Sequence, residues 1–229
     1  PLRIGYNPQL PTSWADGQTG WNGWLPSEDY PILLNPAADA IWTANARVVE
    51  GTALKKIGEG GYPLGARAKQ IRDSLLELER ATIEDMLAIQ LDDQALLHEP
   101  WRDLLLEVLD PVALAGNARR AAFRNEVSRW NGRADPDTAG YRLVREFRQQ
   151  TSDDLLSEII SGCGNFSSPV TLQRREQSEG PVWRLITDRP AHFLPSVYDS
   201  WQDLFLSAVD RTILSCPVDS LSVSNTNMK

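Results

Sequence analysis

The stretch Ala40-Ile41-Trp42-Thr43-Ala44-Asn45-Ala46-Arg47-Val48-Val49 decides how the chain is read. It mixes β-branched and aromatic residues and has turn-forming residues in front, a pattern that predicts a β-strand. Its surroundings agree. Residues 1–65 hold most of the 15 glycines and four of the eight tryptophans, Trp14, Trp21, Trp24 and Trp42. Prolines cluster there too, at Pro8, Pro11, Pro26, Pro31, Pro36 and Pro63. Proline lacks a backbone donor and glycine visits positive φ, so long helices are excluded and short strands joined by turns are expected.

After Gly65 the texture changes. Ile71, Leu75 and Leu78 recur at helical spacing and predict a helix from Arg67 to Leu78. Thr82, with Asp85 three residues on, reads as the N-cap of a second helix running through Met86, Ile89 and Leu96. Further helices are expected over 101–109, between Pro100 and Pro111, and over 113–130. Asp135-Pro136-Asp137 reads as a turn before a helix from Thr138 to about Gln150, and Ser152 as the cap of another over 153–160. Val182-Trp183-Arg184-Leu185-Ile186 reads as a strand, and 197–214 as a last helix stopped by Pro217. The expectation is an α+β fold in three parts: a strand and loop segment over 1–65, a helical region over 66–161, and a mixed segment over 162–229 ending in a helix and a polar tail.

Composition removes several functions. The 229 residues are 41% hydrophobic and 24% charged, ordinary for a globular protein. A net charge of −8 and a pI near 4.9 argue against a nucleic-acid partner, which calls for a basic surface. No run approaches the roughly 18 apolar residues of a membrane span. The start, Pro1-Leu2-Arg3-Ile4-Gly5-Tyr6, has neither the layout of a signal peptide nor an initiator methionine, so the chain is expected to begin inside a longer product. His98 and His192 lack metal-ligand spacing and read as ordinary structural or surface residues. Cys163 and Cys216 are compatible with a disulfide or with two free thiols. Nothing calls for an organic cofactor.

Several short segments carry a family resemblance through their order. Gly20-Trp21-Asn22-Gly23-Trp24-Leu25-Pro26, Tyr30-Pro31, Asn35-Pro36 and Thr43-Ala44-Asn45 come first. Ala66-Arg67-Ala68-Lys69-Gln70-Ile71, Thr82-Ile83-Glu84-Asp85-Met86 and Gln90-Leu91-Asp92 follow. Trp130-Asn131-Gly132, Ala139-Gly140-Tyr141-Arg142-Leu143 and Trp201-Gln202-Asp203-Leu204 complete the series. In this order the chain resembles the penicillin acylase family over roughly residues 6 to 214.

The resemblance implies part of an αββα N-terminal-nucleophile hydrolase fold, to whose catalytic sheet residues 1–65 would contribute. It implies cleavage of a linear amide through an acyl-serine intermediate; the amide could be a penicillin side chain, an N-acyl homoserine lactone or another acylated amine. The family's nucleophile is a serine freed by autoprocessing. This chain, starting at Pro1, would lie well past it, so neither Ser13 nor Ser27 takes that role. Asn45 matches the family's oxyanion asparagine. An amide NH₂ is a neutral, fixed donor suited to a tetrahedral oxyanion. Ala46 departs from the second asparagine that usually follows. Arg67 matches an arginine near the active site, where a rigid guanidinium fork could pin an asparagine or a carboxylate.

Pro8 resembles a position whose carbonyl contacts a structural calcium in some members, although that ion needs six or more oxygen ligands and this chain alone does not argue for it. The implied partners are the remaining β-subunit segment and the α subunit of the same precursor, and the implied location is periplasmic or secreted. A non-catalytic module is the rival: a glycan surface built on Trp14, Trp21 and Trp24, or a helical scaffold. Indoles in glycine-rich loops more often anchor the loop to a core.

Overall fold

The computed structural model describes residues 3–6, 12–58, 61–161 and 177–216. Pro8, Cys163 and the first part of the 162–195 stretch lie outside them. The chain divides into two compact units, Pro1–Gln90 and Leu91–Lys229.

The first unit opens with β1 (Arg3–Ile4) and β2 (Gly20–Trp21), antiparallel, with Arg3 opposite Trp21. Three helices follow, α1 (Gly51–Ile57), α2 (Ala66–Leu76) and α3 (Ile83–Gln90). Thr82 caps α3 reciprocally: its Oγ1 accepts from Asp85 N at 3.2 Å, and Asp85 Oδ2 accepts from Thr82 N at 2.9 Å. Two hydrogen bonds from the threonine hold the Asp85 carboxyl below its usual range. This helix ends at Gln90 rather than running on to Leu96, which lies in a short 3₁₀ turn.

The strand expected over 40–49 does not form. Exposure nevertheless alternates as in a strand: Ala40, Trp42, Ala44 and Ala46 turn inward, while Ile41, Thr43, Asn45 and Arg47 turn out. A strand needs a neighbour to receive its ladder of hydrogen bonds. The backbone bends over 44–46 and pairs with no strand among the described residues, so the periodicity persists without the sheet.

The second unit is helical and has a core of its own. It comprises α4 (Glu99–Val108), α5 (Pro111–Leu114), α6 (Ala118–Arg129), α7 (Gly140–Ser161), α8 (Glu179–Asp188) and α9 (Trp201–Ser215). Buried residues recur at helical spacing, as with Trp101, Leu104, Leu105 and Val108 on α4, or Leu204, Phe205, Ala208 and Val209 on α9. Ion pairs fasten the helices from outside. Arg120 on α6 holds Asp210 on α9 through two parallel bonds of 2.8 and 2.6 Å. Arg211 on α9 reaches both Asp154 on α7 and Tyr198.

Three sequence expectations change here. The strand expected over 182–186 is part of α8, with Val182 and Ile186 buried one turn apart. Glu179, at the start of α8, accepts from Trp101 Nε1 at 2.7 Å and from Arg148 Nε at 2.9 Å, which pins the helix to α4 and α7. The helix expected over 113–130 is two, broken where Gly116 adopts φ +70° and Asn117 caps α6 by accepting from Arg120 N at 3.1 Å. The pair expected over 138–160 is the single helix α7, because Ser152 Oγ donates back to Arg148 O at 2.7 Å instead of capping a new start.

The Trp-Asn-Gly and Ala-Gly-Tyr segments prove architectural. Trp130 packs on Gly140 at the start of α7, and its Nε1 donates to Arg133 O at 2.7 Å. Gly132 takes φ +81°, and its carbonyl accepts from Ala95 N at 2.7 Å. Together they tie the chain before α4 to the turn that leads into α7.

Candidate functional site

Asn45 and Arg67 come together in the first unit. Asn45 lies in a bend, exposed, at φ +61°, in the left-handed region that glycine and asparagine tolerate best. Its mounting is thus a bend rather than the strand end expected. Arg67 is the second residue of α2, whose first turn closes with Lys69 N donating to Gly65 O at 2.8 Å. Arg67 Nη2 donates to Asn45 Oδ1 at 2.9 Å and to Ala44 O at 3.3 Å.

This geometry orients the amide. A guanidinium has donors only, so the face of Asn45 toward Arg67 must be its oxygen. The NH₂ then points away, and Asn45 Nδ2 donates to no group among the described residues. Arg67 also differs from the other cations of α2. Lys69 and Arg72 both close on Asp73, whose carboxyl they hold below its usual range, the Lys69 bond contributing most. Arg67 meets no carboxylate among the described residues, so its charge is directed at the amide and the carbonyl beside it.

Next to the pair runs a groove of about 450 Å³ with largely apolar walls, Ile32, Leu33, Ile41, Trp42, Val48 and Ile57 among them. Ala44 and Ala46, on either side of Asn45, and Ala68, beside Arg67, also line it.

The remaining sequence candidates lie elsewhere. Ser13 Oγ accepts from Ala15 N at 3.2 Å, and Ser27 Oγ donates to Glu28 at 3.1 Å; both are exposed turn contacts. Trp14 and Trp21 pack with Tyr6 at ring separations of 5.1 to 6.1 Å, while Trp24 is 79% exposed. His98 is buried in the second unit, edge-on to Tyr141 at 5.2 Å, with no partner for Nε2 among the described residues. Burial above all, and then the positive charge of Arg148, bring its pKa down to about 4. It is neutral at pH 7 and part of a core. His192 is exposed beside Phe193. Cys216 is buried at 3% exposure. Among the described residues no three His, Cys, Asp or Glu side chains are grouped to hold a metal ion, and no helix is long and apolar enough to cross a membrane.

Sequence reasoning missed the Ala44 carbonyl as a second acceptor for Arg67, and the burial of Ala46. The inward phase of the 40–47 alternation, which holds both alanines, was the available signal.

The ordered motifs along the chain fit one family. The chain matches the penicillin amidase family over residues 1–227, and it belongs to that family. Among its relatives is the penicillin acylase 2 proenzyme of Pseudomonas sp. (strain SE83), 28% identical over 149 residues, which cover 65% of this chain and 19% of that protein. The chain thus corresponds to well under two thirds of that relative's length.

Proposed function

We propose that this chain supplies the oxyanion-stabilising part of an amidohydrolase that cleaves a linear amide by way of an acyl-serine. The nucleophilic serine comes from another segment of the same precursor. The supporting observation is the Arg67–Asn45 bond, which fixes the amide oxygen and leaves Nδ2 available to a substrate. When the serine oxygen adds to the amide carbon, the C=O π pair moves to oxygen; Asn45 Nδ2 donates to that oxyanion. Collapse restores the carbonyl and expels the protonated amine, and water then releases the acid and regenerates the serine. Arg67 adds positive potential nearby while holding the donor still.

Penicillin side chains, N-acyl homoserine lactones and other acylated amines fall within this reading. On this reading residues 40–49 pair with the remaining β-subunit segment in the catalytic sheet of an αββα fold; that segment and the α subunit complete the enzyme, which acts in the periplasm or outside the cell. The alternating exposure over 40–47 and the outward Ile41 and Val48 support this arrangement.

The test uses the complete processed protein and a chromogenic acyl nitroanilide. Asn45→Ala lowers kcat by roughly 10²- to 10³-fold, the usual loss for one oxyanion donor, with KM nearly unchanged. A raised KM at parental kcat would make Asn45 a ground-state binding residue and defeat the proposal.

A further inference from the structure

Among the described residues of Pro1–Gln90, Ala46 carries the only buried side chain, at 6% exposure. It directly follows Asn45, and its Cβ lies 4.0 Å from where a Cβ on Gly65 would stand. Gly65 immediately precedes α2, two residues before Arg67. Arg67 holds the Ala44 carbonyl before Asn45, and Ala46, after it, lies near Gly65, which leads into α2.

We propose that Ala46 is a positioning residue, whose buried methyl near Gly65 sets the separation at which Arg67 reaches Asn45. The proposal rests on the acyl-transfer reading above for its catalytic consequence, and on geometry alone for its structural one. A guanidinium bond at 2.9 Å tolerates little displacement, and hydrogen bonding is lost beyond about 3.5 Å. Asn45 at φ +61° lies outside any regular element, and its side chain is held by the bond from Arg67. A small apolar side chain at 46 suits such a seat, as an amide buried there would need partners of its own.

Valine at this position carries two γ-methyls, each about 1.5 Å beyond the present carbon and splayed apart, so both cannot be stowed in the adjoining groove. One presses on the neighbouring backbone, and overpacking of this kind is relieved by backbone shifts. A shift at the start of α2 would carry Arg67 with it.

The experiment is a double-mutant cycle in the complete processed protein with the same nitroanilide, joined to crystal structures of the variants. Ala46→Val is expected to lower kcat about 10- to 100-fold with KM little changed, the cost of misplacing a catalytic group by roughly 1 Å. Ala46→Ser, close to alanine in volume, restores most of it. In the Asn45→Ala background, Ala46→Val adds no further loss, because both changes remove the same interaction. In crystals of Ala46→Val the Arg67–Asn45 separation exceeds about 3.5 Å, the limit of a hydrogen bond. Parental kcat, a full additional loss in the Asn45→Ala background, or an unchanged separation overturns the proposal. Should Ala46→Val not fold, Ala46→Gly removes the methyl without adding volume; it too lowers kcat, and parental turnover counts against the inference. If Asn45→Ala alone leaves kcat unchanged, the functional reading fails, and the crystallographic separation still decides the positioning claim.

Discussion

Replacing Gly140 by alanine tests the junction between Trp130 and α7, and the structure sets both sign and size. A Cβ at Gly140 would lie 2.3 Å from Trp130 Cβ, 2.7 Å from its Cγ and 3.1 Å from its Cδ1. Contacts this short cannot persist, so the indole must move. Trp130 is 3% exposed and gives its N–H to Arg133 O. Overpacking of a well-filled core costs about 1–3 kcal/mol. The indole bond adds about 1 kcal/mol if it breaks. Against this stands the helical gain of alanine over glycine, at most about 1 kcal/mol. The net is a destabilisation of about 1–3 kcal/mol. Urea unfolding of the 229-residue chain, followed by circular dichroism at a helix-sensitive wavelength, reads it as a midpoint lower by about 0.5–1.5 M at ordinary slopes. Gly180→Ala in α8 serves as the control, since a Cβ there meets nothing within 4 Å and helix propensity alone should act. Gly140→Ala that is neutral or stabilising, like the control, would refute the packing argument.

The remaining predictions concern acid stability and Arg67. His98 has its pKa brought down to about 4 in the folded chain, so below about 6.5 the unfolded chain takes up the proton first. Its contribution is complete above pH 6.5 and is lost as pH falls toward 4, amounting to roughly 3 kcal/mol. His98→Phe should flatten the stability–pH curve over that interval, and an unchanged slope would remove His98 from the explanation. Arg67→Lys replaces a fork with a point charge on a more flexible stem, so kcat of the complete enzyme should fall at least several-fold. Parental activity would return Arg67 to the surface.

What could be read from the sequence was uneven, for physical reasons. The helix in Trp201–Ser215 was legible because its apolar residues repeat with one period, and α3 because Thr82 and Asp85 cap each other within four residues. Residues 182–186 were not: four apolar residues among five fit either period, and the choice was made by Glu179 meeting Trp101 and Arg148, distant in sequence. The 40–49 segment kept the alternation of a strand but lacks a ladder partner among the described residues, which no local pattern reveals. Asn45 and Arg67 were singled out by resemblance, since an asparagine in a bend and an arginine on a helix are commonplace. Their 2.9 Å contact and the burial of Ala46 depend on where α2 returns, and that is tertiary information.

The left-handed backbone at Asn45 also constrains how this position can change over generations. Side chains that accept φ near +61° without strain are few: glycine, asparagine and aspartate. A codon for asparagine becomes one for aspartate by a single base change, and the carboxylate would suit both the bend and the Arg67 guanidinium. On the proposed role it would also turn an acceptor toward the oxyanion. The easiest heritable change at position 45 therefore preserves the architecture and abolishes the chemistry, so inactive descendants of this lineage should be well folded, with an aspartate at this place as their mark.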